Sequence, residues 1–150
     1  MKYVAVRHKP SHTKVFWFSV PEELEDKVSV GAQVLCNTSK GKSTGRIECI
    51  LDSVPQQEAE KIIGAYFPLK PIFAVQLKAR MCDIYIPLRF GTSNPTSDKI
   101  KKRMDEWYEN MEFKTPVIFS PEMELIDGFS AYLVARMFEH ETLLGFCVAE

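Results

Sequence analysis

The pair Asp127-Gly128 is the sequence feature that most constrains the fold, because it separates a strand-like stretch from a helix-like one. Leu125-Ile126 ends the first stretch, and the apolar run at residues 129–136 forms the second. An Asp-Gly pair is typical of a tight turn. A helix that begins directly after such a turn presents N–H groups without helical partners, and its dipole favours anions. Residues 124–136 therefore predict a strand, a turn and a helix, with an anion site at the helix start.

The composition indicates an ordinary soluble folded protein. Hydrophobic residues make up 45% of the 150 residues, which suffices for one ordinary domain or two small ones. The net charge of −1 gives no global signal for nucleic-acid binding. The first residues lack the apolar run of a signal peptide, and no stretch approaches the length of a membrane span. We therefore expect a cytoplasmic protein with no membrane partner.

The cysteines are predicted to be buried free thiols that bind no metal. Zinc sites need short paired spacings, and no C-x-x-C pair occurs. The neighbours of each cysteine are apolar or β-branched, which favours burial. The three histidines are scattered and show no metal-site spacing either. The four cysteines are Cys36, Cys49, Cys82 and Cys147.

The first half of the chain has the pattern of short strands joined by close turns. Alternating or aromatic-rich runs predict strands at residues 3–7, 15–20, 33–38 and 45–51, with a hairpin turn at residues 39–42. A small SH3-like barrel is typical of this spacing. Residues 55–65 predict a linking helix, and the prolines at 68 and 71 interrupt the chain after it. We therefore predict a small N-terminal β-barrel at residues 1–65 and a second domain at residues 66–150.

The second half alternates strands and helices, so the predicted fold class is α+β. Strands are predicted at residues 72–78, 83–88, 115–119 and 143–148. A helix is predicted at residues 98–110, with Thr96 or Ser97 as its cap, and another from the Asp-Gly turn to about His140. The first helix has a single apolar face, formed by Ile100, Met104, Trp107 and Met111.

One short motif resembles the end of a phosphate-binding P-loop. It reads Gly41-Lys42-Ser43-Thr44, but Cys36 stands where that loop needs a glycine. A strand follows instead of a helix, so a hairpin turn explains the motif better.

A basic cluster and two aromatic residues allow either a binding or a structural interpretation. The cluster contains Lys99, Lys101, Lys102 and Arg103, and acidic neighbours dilute its field, which favours a solvated helix face over phosphate contacts. Aromatic residues such as Phe16 and Trp17 stack on bases where they face outward. Core packing is the favoured interpretation for both aromatic residues.

The order of elements in the second half resembles that of ParB-like domains of the ParB/sulfiredoxin superfamily. The resemblance covers residues 80–150. It rests on Ile-Tyr-Ile-Pro at residues 84–87, Asn94-Pro95, Thr-Pro-Val-Ile-Phe at residues 115–119, and the run at residues 125–135. It implies a sulfiredoxin-like fold, with DNA or a nucleotide as the partner.

The chain departs from this family at the residues after the glycine. Family members place one or two arginines there, and these hold nucleotide phosphates, whereas residues 129–131 here are Phe, Ser and Ala. Charge-assisted bidentate contacts are therefore missing. The resemblance then implies a degenerate domain, in which Arg89 or Lys99 replaces the missing charge. Arg136 lies two turns into the helix, too far along to do so.

Non-catalytic binding of a nucleotide or nucleic acid is the leading functional hypothesis. The alternatives are a phosphotransferase or nuclease of the same superfamily, with Asp127 or Glu124 as the catalytic residue, and a protein-interaction module. The sequence names no cofactor and no oligomeric state. The predicted phosphate-binding residues are Arg89, Asn94, Lys99, Asp127, Gly128, Phe129 and Ser130.

The first half is similar to the small β-barrel at the N-terminus of primosomal replication helicases, a DNA-end-binding module. The similarity covers residues 1–52 and rests on Val4-Ala5-Val6, residues 16–21 and the glycines at 31 and 45.

Overall fold

The protein consists of two compact units. The structure, a computed structural model, describes residues 1–38, 41–64, 68–92 and 94–149. The division lies between Gln76 and Leu77. Unit 1 comprises residues 1–76 with Ala149, and unit 2 comprises residues 77–148.

Unit 1 is an antiparallel sheet with one short α-helix and one 3-10 helix. Its strand order is β2-β1-β4-β3-β5, and the first five residues of β5 belong to it. The elements are β1 (Lys2–Arg7), β2 (Phe16–Val20), the 3-10 helix (Glu22–Leu24), β3 (Gln33–Thr38), β4 (Gly41–Asp52), α1 (Gln56–Ile63) and β5 (Ile72–Arg80).

The core of unit 1 comes from the β-branched residues of its strands. Val6, Val34 and Ile47 are fully buried. β4 passes close to β1, since a Cβ atom on Gly45 would lie 2.4 Å from Val6 Cγ1 and 3.2 Å from the Arg7 carbonyl oxygen. The sequence pattern therefore places the strands well, and a glycine allows their close approach.

The predicted SH3-like barrel is not confirmed, because the sheet of unit 1 is open. β2 and β5 end its strand order. An isolated bridge joins Ser19 of β2 to Pro71, directly before β5, and one bridge is not a strand ladder. Closure depends on strand tilt and stagger, which a pattern of short strands does not specify.

Unit 2 is a mixed layer of strands and helices, so the predicted α+β class is confirmed. The strand order is β5-β8-β6-β7, with β6 parallel to β8 and antiparallel to β7. Its core is built by Phe119, Leu125, Ala131 and Ala135, all fully buried. Its elements after β5 are a 3-10 helix (Met81–Asp83), α2 (Leu88–Gly91), α3 (Ser97–Asn110), β6 (Ile118–Phe119), β7 (Leu125–Asp127), α4 (Phe129–Met137) and β8 (Thr142–Val148).

The predicted strand at residues 83–88 is wrong. The segment begins as a 3-10 helix and contributes one isolated bridge, between Tyr85 and Glu124. Pro87 precedes α2 and has no N–H group to donate to a ladder. The strand at residues 115–119 is also shorter than predicted, since only Ile118–Phe119 pair.

Two predictions included too many residues. The predicted apolar face of α3 included Met111, and the predicted buried cysteines included two that are exposed. Met111 ends α3 in a left-handed conformation and is 68% exposed. Cys49 and Cys82 are exposed, and of the four cysteines only Cys36 and Cys147 are buried. The Thr96 cap is confirmed, since its Oγ1 accepts a hydrogen bond from the Lys99 N–H at 3.3 Å.

Some predictions fall on residues outside the described ranges. Residues 39 and 40 of the hairpin turn, the domain boundary near residue 65, and residues 66 and 67 of the linker are among them. The predicted domain limits stay a prediction.

Candidate functional site

The turn before α4 is shaped by the packing of Gly128. This residue has a φ of +92°, and a Cβ atom there would lie 2.9 Å from Val117 Cα and 3.0 Å from the Pro116 carbonyl oxygen. Both neighbours are backbone atoms and cannot rotate away. The Asp-Gly pair therefore requires glycine for architectural reasons.

The Asp127 carboxylate satisfies one of the N–H groups at the start of α4. Its Oδ1 accepts a hydrogen bond of 2.8 Å from the Gly128 N–H. A carboxylate here stabilises the helix through the dipole. The same negative charge disfavours a second anion on this N–H group, so a phosphate is repelled from the turn itself.

Two arginines reach the start of α4 from neighbouring helices. Arg89 of α2 donates from Nη2 to the Ile126 carbonyl oxygen at 3.1 Å. Arg103 of α3 donates from Nε to Ser130 Oγ at 3.1 Å, and its Nη1 lies 2.5 Å from Glu106 Oε1. The prediction of a solvated face is wrong for Arg103, because its side chain is only 11% exposed and ties α3 to α4.

A groove of about 780 Å³ lies beside this helix start. Its walls contain three aromatic rings in sequence: Phe90 stacks on Phe129 with ring centroids 4.9 Å apart, and Phe129 on Tyr132 at 6.1 Å. The lining residues come from α2, α3, α4 and the loops before α2 and α3: Ile86, Phe90, Gly91, Asn94, Pro95, Ile100, Phe129, Tyr132, Leu133, Arg136 and Met137.

The groove brings together some of the predicted site residues and leaves others outside. Phe129 and Asn94 line it. The turn residues Asp127 and Gly128 lie next to Phe129 in the chain without being part of the lining. The other predicted residues, Ser130, Arg89, Lys99 and Glu124, do not line it either.

The sequence prediction missed Phe90, Tyr132 and Arg136. Arg136 was considered too far along α4, but it lines the groove together with Phe129. A helical signal was available, because the α4 lining residues fall at i, i+3, i+4, i+7 and i+8 from Phe129, which is one face of a helix. This face carries the groove two turns beyond the helix start.

Two general features bear on the site. Within the described ranges, no group of three or more His, Cys, Asp or Glu residues is arranged to hold a metal ion. In the same part of the chain, no helix has the length and apolar character needed to cross a membrane.

Comparison with protein families and with curated proteins finds no match. Among solved structures, the chain is similar to a Pnob8-like ParB-N domain, with 14% sequence identity and a TM-score of 0.41. The match covers 51% of this chain and 31% of the other, so it spans about a third of that protein's length. The matched structure carries the family name that the sequence resemblance gave. A likeness at this level carries no information on ligand or activity.

Proposed function

We propose that unit 2 is a non-catalytic module that binds a nucleotide in the groove. The observation that carries the proposal is the make-up of the lining, in which aromatic and aliphatic walls surround two polar side chains, Asn94 and Arg136. A volume of about 780 Å³ lies in the range typical of small-molecule sites, which are mostly apolar with a few polar groups. A nucleotide matches this chemistry, since a flat base suits the apolar walls and a phosphate suits a guanidinium.

The phosphate is proposed to lie towards Arg136 and Asn94, away from the turn. The Asp127 carboxylate disfavours an anion at the Gly128 N–H, to which it is bonded. Arg89 already donates to the Ile126 carbonyl oxygen, and Arg103 is paired with Glu106. Arg136 is exposed and has no ion-pair partner within the described ranges, which leaves its charge available for a ligand.

A nucleotide fits unit 2 better than a long nucleic-acid strand does. Residues 77–148 contain nine Lys and Arg against eleven Asp and Glu. A polyanion gains affinity mainly from an excess of positive charge, which this unit lacks. A single phosphate-bearing ligand needs only the local charge of Arg136.

A thermal-shift screen with nucleoside mono- and triphosphates tests the proposal. A nucleotide at about a hundred times its dissociation constant should stabilise the protein by about 2.7 kcal/mol. Arg136→Gln should weaken the binding about tenfold, since it removes a charge-assisted contact. The matched control is Lys101→Gln, which removes one exposed positive charge on α3 outside the groove.

The proposal fails if no nucleotide shifts the melting temperature, or if the two variants weaken binding equally. Gly128 is unsuited as a test position, because any side chain there meets the backbone of Val117. A loss of binding in a Gly128 variant would report misfolding of the turn.

A protein-interaction module is the second candidate, favoured by the apolar lining. Met137 lines the groove and is 58% exposed, and an amphipathic helix binds such grooves through its apolar face. This candidate predicts that no nucleotide stabilises the protein.

The enzymatic alternative rests on Asp127 and Glu124, and neither carboxylate lines the groove. The Asp127 carboxylate accepts a hydrogen bond from the Gly128 N–H, and the backbone of Glu124 forms an isolated β-bridge with Tyr85. Metal-dependent turnover of a nucleotide that is abolished by Asp127→Asn would support an enzyme over a binding module.

A further inference from the structure

We propose a second ligand site, on unit 1, that binds the phosphate group of a nucleotide, either free or within a nucleic-acid strand. The site is a polar hollow of about 500 Å³, called here the arginine hollow. It belongs to unit 1 alone, so it does not depend on the proposed function of unit 2. Its lining residues are Arg7, His8, Pro10, Gln33, Arg46 and Glu48.

The strand register places two arginines directly opposite each other in this hollow. Arg7 of β1 pairs with Arg46 of β4, and Arg46 pairs in turn with Gln33 of β3. Side chains of directly paired residues lie on the same face of a sheet, and like charges in that position are destabilising. The fold itself gains nothing from this arrangement, which points to a ligand that compensates the charge.

Only one of the two guanidinium groups is neutralised by the protein. Arg7 donates from Nε to Glu48 Oε1 at 3.2 Å, and its Nη1 donates to the His12 carbonyl oxygen. Arg46 is exposed, and within the described ranges no carboxylate forms an ion pair with it. The hollow therefore keeps a net positive charge, centred on Arg46.

The donors around Arg46 suit a phosphate group. A guanidinium presents a planar fork of N–H groups that matches phosphate oxygens, and such charge-assisted bonds are the strong kind. Gln33 adds an amide group beside it in the next strand. No backbone movement is needed for a ligand to reach them, because Arg46 and Gln33 are both exposed.

The aromatic ring in the lining, that of His8, indicates a nucleotide as the carrier of the phosphate. The His8 ring, part of the lining, packs against Phe16 with ring centroids 5.9 Å apart. Phe16 is 44% exposed, so core packing is wrong for this residue, and Lys14 Nζ lies 5.2 Å from its ring centroid. Aromatic rings, including that of histidine, stack on bases irrespective of sequence, so the His8 ring supplies a stacking surface within the hollow.

Direct binding measurements at low salt test the arginine hollow. The probes are inorganic phosphate, a nucleoside monophosphate and a fluorescent oligothymidylate, applied to the full chain. Arg46→Gln should weaken binding about tenfold. Lys61→Gln is the matched control, because Lys61 is an exposed cation of α1 in the same unit and lies outside the hollow.

The three probes distinguish the source of the phosphate. Equal affinity for the monophosphate and the oligonucleotide identifies a free nucleotide as the ligand. Tighter binding of the oligonucleotide identifies a strand, and Arg46→Gln should then reduce the salt slope of binding by about 0.7, as expected for one lost phosphate contact on a single strand.

Stability provides a second readout that separates ligand binding from folding. Because Arg46→Gln removes a like-charge pair, it should raise the melting temperature of the free protein while weakening ligand binding. The proposal is overturned if no probe binds at low salt, or if Arg46→Gln and Lys61→Gln behave alike. Arg46→Gln is therefore also measured in an Arg136→Gln background, in which binding at the groove of unit 2 is weakened, so that failure of one site is distinguishable from failure of the other.

Discussion

Units 1 and 2 each contain an arginine–glutamate ion pair, and the two pairs differ in how far their side chains are exposed to solvent. In unit 1 the side chains of Arg7 and Glu48 are 30% and 34% exposed, and in unit 2 those of Arg103 and Glu106 are 11% and 8% exposed. Exposed pairs contribute little to stability, whereas breaking a buried pair is strongly destabilising. The pair of unit 1 is therefore expected to contribute little to stability, whereas the pair of unit 2, which lies within α3, fixes the arginine that bonds to Ser130 of α4.

The two units also differ in charge and in the character of their concave surfaces. Residues 1–76 contain ten Lys and Arg against eight Asp and Glu, while residues 77–148 carry an excess of acidic residues. The basic unit has the polar arginine hollow, and the acidic unit has the apolar groove. The two proposed sites therefore differ in chemistry, with a net positive charge in unit 1 and a mainly apolar surface in unit 2.

The largest expected effect comes from removing the central core residue of unit 2. Phe119 is fully buried in β6, and the position of a Cβ on Gly145 lies 2.5 Å from its Cε2 atom, which shows how tightly it is enclosed. Phe119→Ala should lower the free energy of unfolding of unit 2 by about 4 kcal/mol, since it leaves a cavity that the backbone cannot fill. Urea titration followed by Trp107 fluorescence in a Trp17→Phe background measures this loss.

The matched variant in unit 1 is Leu24→Ala, which truncates a fully buried side chain there. Trp17 reports on it in a Trp107→Phe background, because each unit contains one of the two tryptophans. We expect a loss of about 3 kcal/mol. Each variant is also made in the other tryptophan background, and if either one shifts the Trp17 and Trp107 transitions equally, the two units unfold as one and the division into separately stabilised cores is wrong.

The fold was predictable from the sequence where local pattern and tertiary packing agree. The strands of unit 1, the α3 cap at Thr96 and the Asp127-Gly128 turn followed from alternation, hydroxyl capping and turn chemistry. Residues 83–88 looked like a strand because they are β-branched and aromatic, but Pro87 prevents pairing and α2 begins directly after it. Sheet closure was not predictable, since it depends on geometry between strands.

The candidate sites were less predictable, because they depend on side chains from several elements. The turn predicted an anion site at the start of α4. In the structure the Asp127 carboxylate accepts a hydrogen bond from the Gly128 N–H there, and the groove extends along the helix to Arg136. Arg103 looked like a surface cation, since its sequence neighbours are lysines, yet contact with Ser130 and Glu106 buries it. The opposed arginines of unit 1 are 39 positions apart in the chain, so only the strand register reveals them.

The buried ion pair should show the second largest effect. Arg103→Met leaves the Glu106 carboxylate buried without its partner and removes the bond to Ser130, so we expect a loss of about 3 kcal/mol from unit 2. Arg7→Met in unit 1 should cost less than about 1 kcal/mol, because both partners are accessible to water. Urea unfolding of the two variants, each with the tryptophan of its own unit, gives the comparison.

A double variant, Arg103→Met with Glu106→Leu, should recover most of the lost stability. Replacing both members of a buried pair by apolar groups removes the unpaired charge. Equal losses for Arg103→Met and Arg7→Met would show that the difference in burial has no energetic consequence.

A smaller effect than loss of a core side chain or of the buried ion pair is expected at alkaline pH, where unit 1 loses stability. Cys36 lies fully buried in β3, and burial raises the pKa of its thiol from 9.0 to about 12. The folded unit therefore retains the proton that the unfolded chain loses, so stability is fully present below pH 9 and falls as the pH rises from 9 towards 12. At about pH 10.5 this thiol should lower the free energy of unfolding of unit 1 by about 2 kcal/mol relative to neutral pH.

Urea unfolding of the wild-type chain and of Cys36→Ala, at neutral pH and at the alkaline value, isolates this loss, because every other titrating group is common to both proteins. Trp17 fluorescence should show a smaller alkaline loss in Cys36→Ala. Equal losses in the two proteins would mean that the Cys36 thiolate is tolerated inside unit 1, and that its core is more open to water than the structure of β3 indicates.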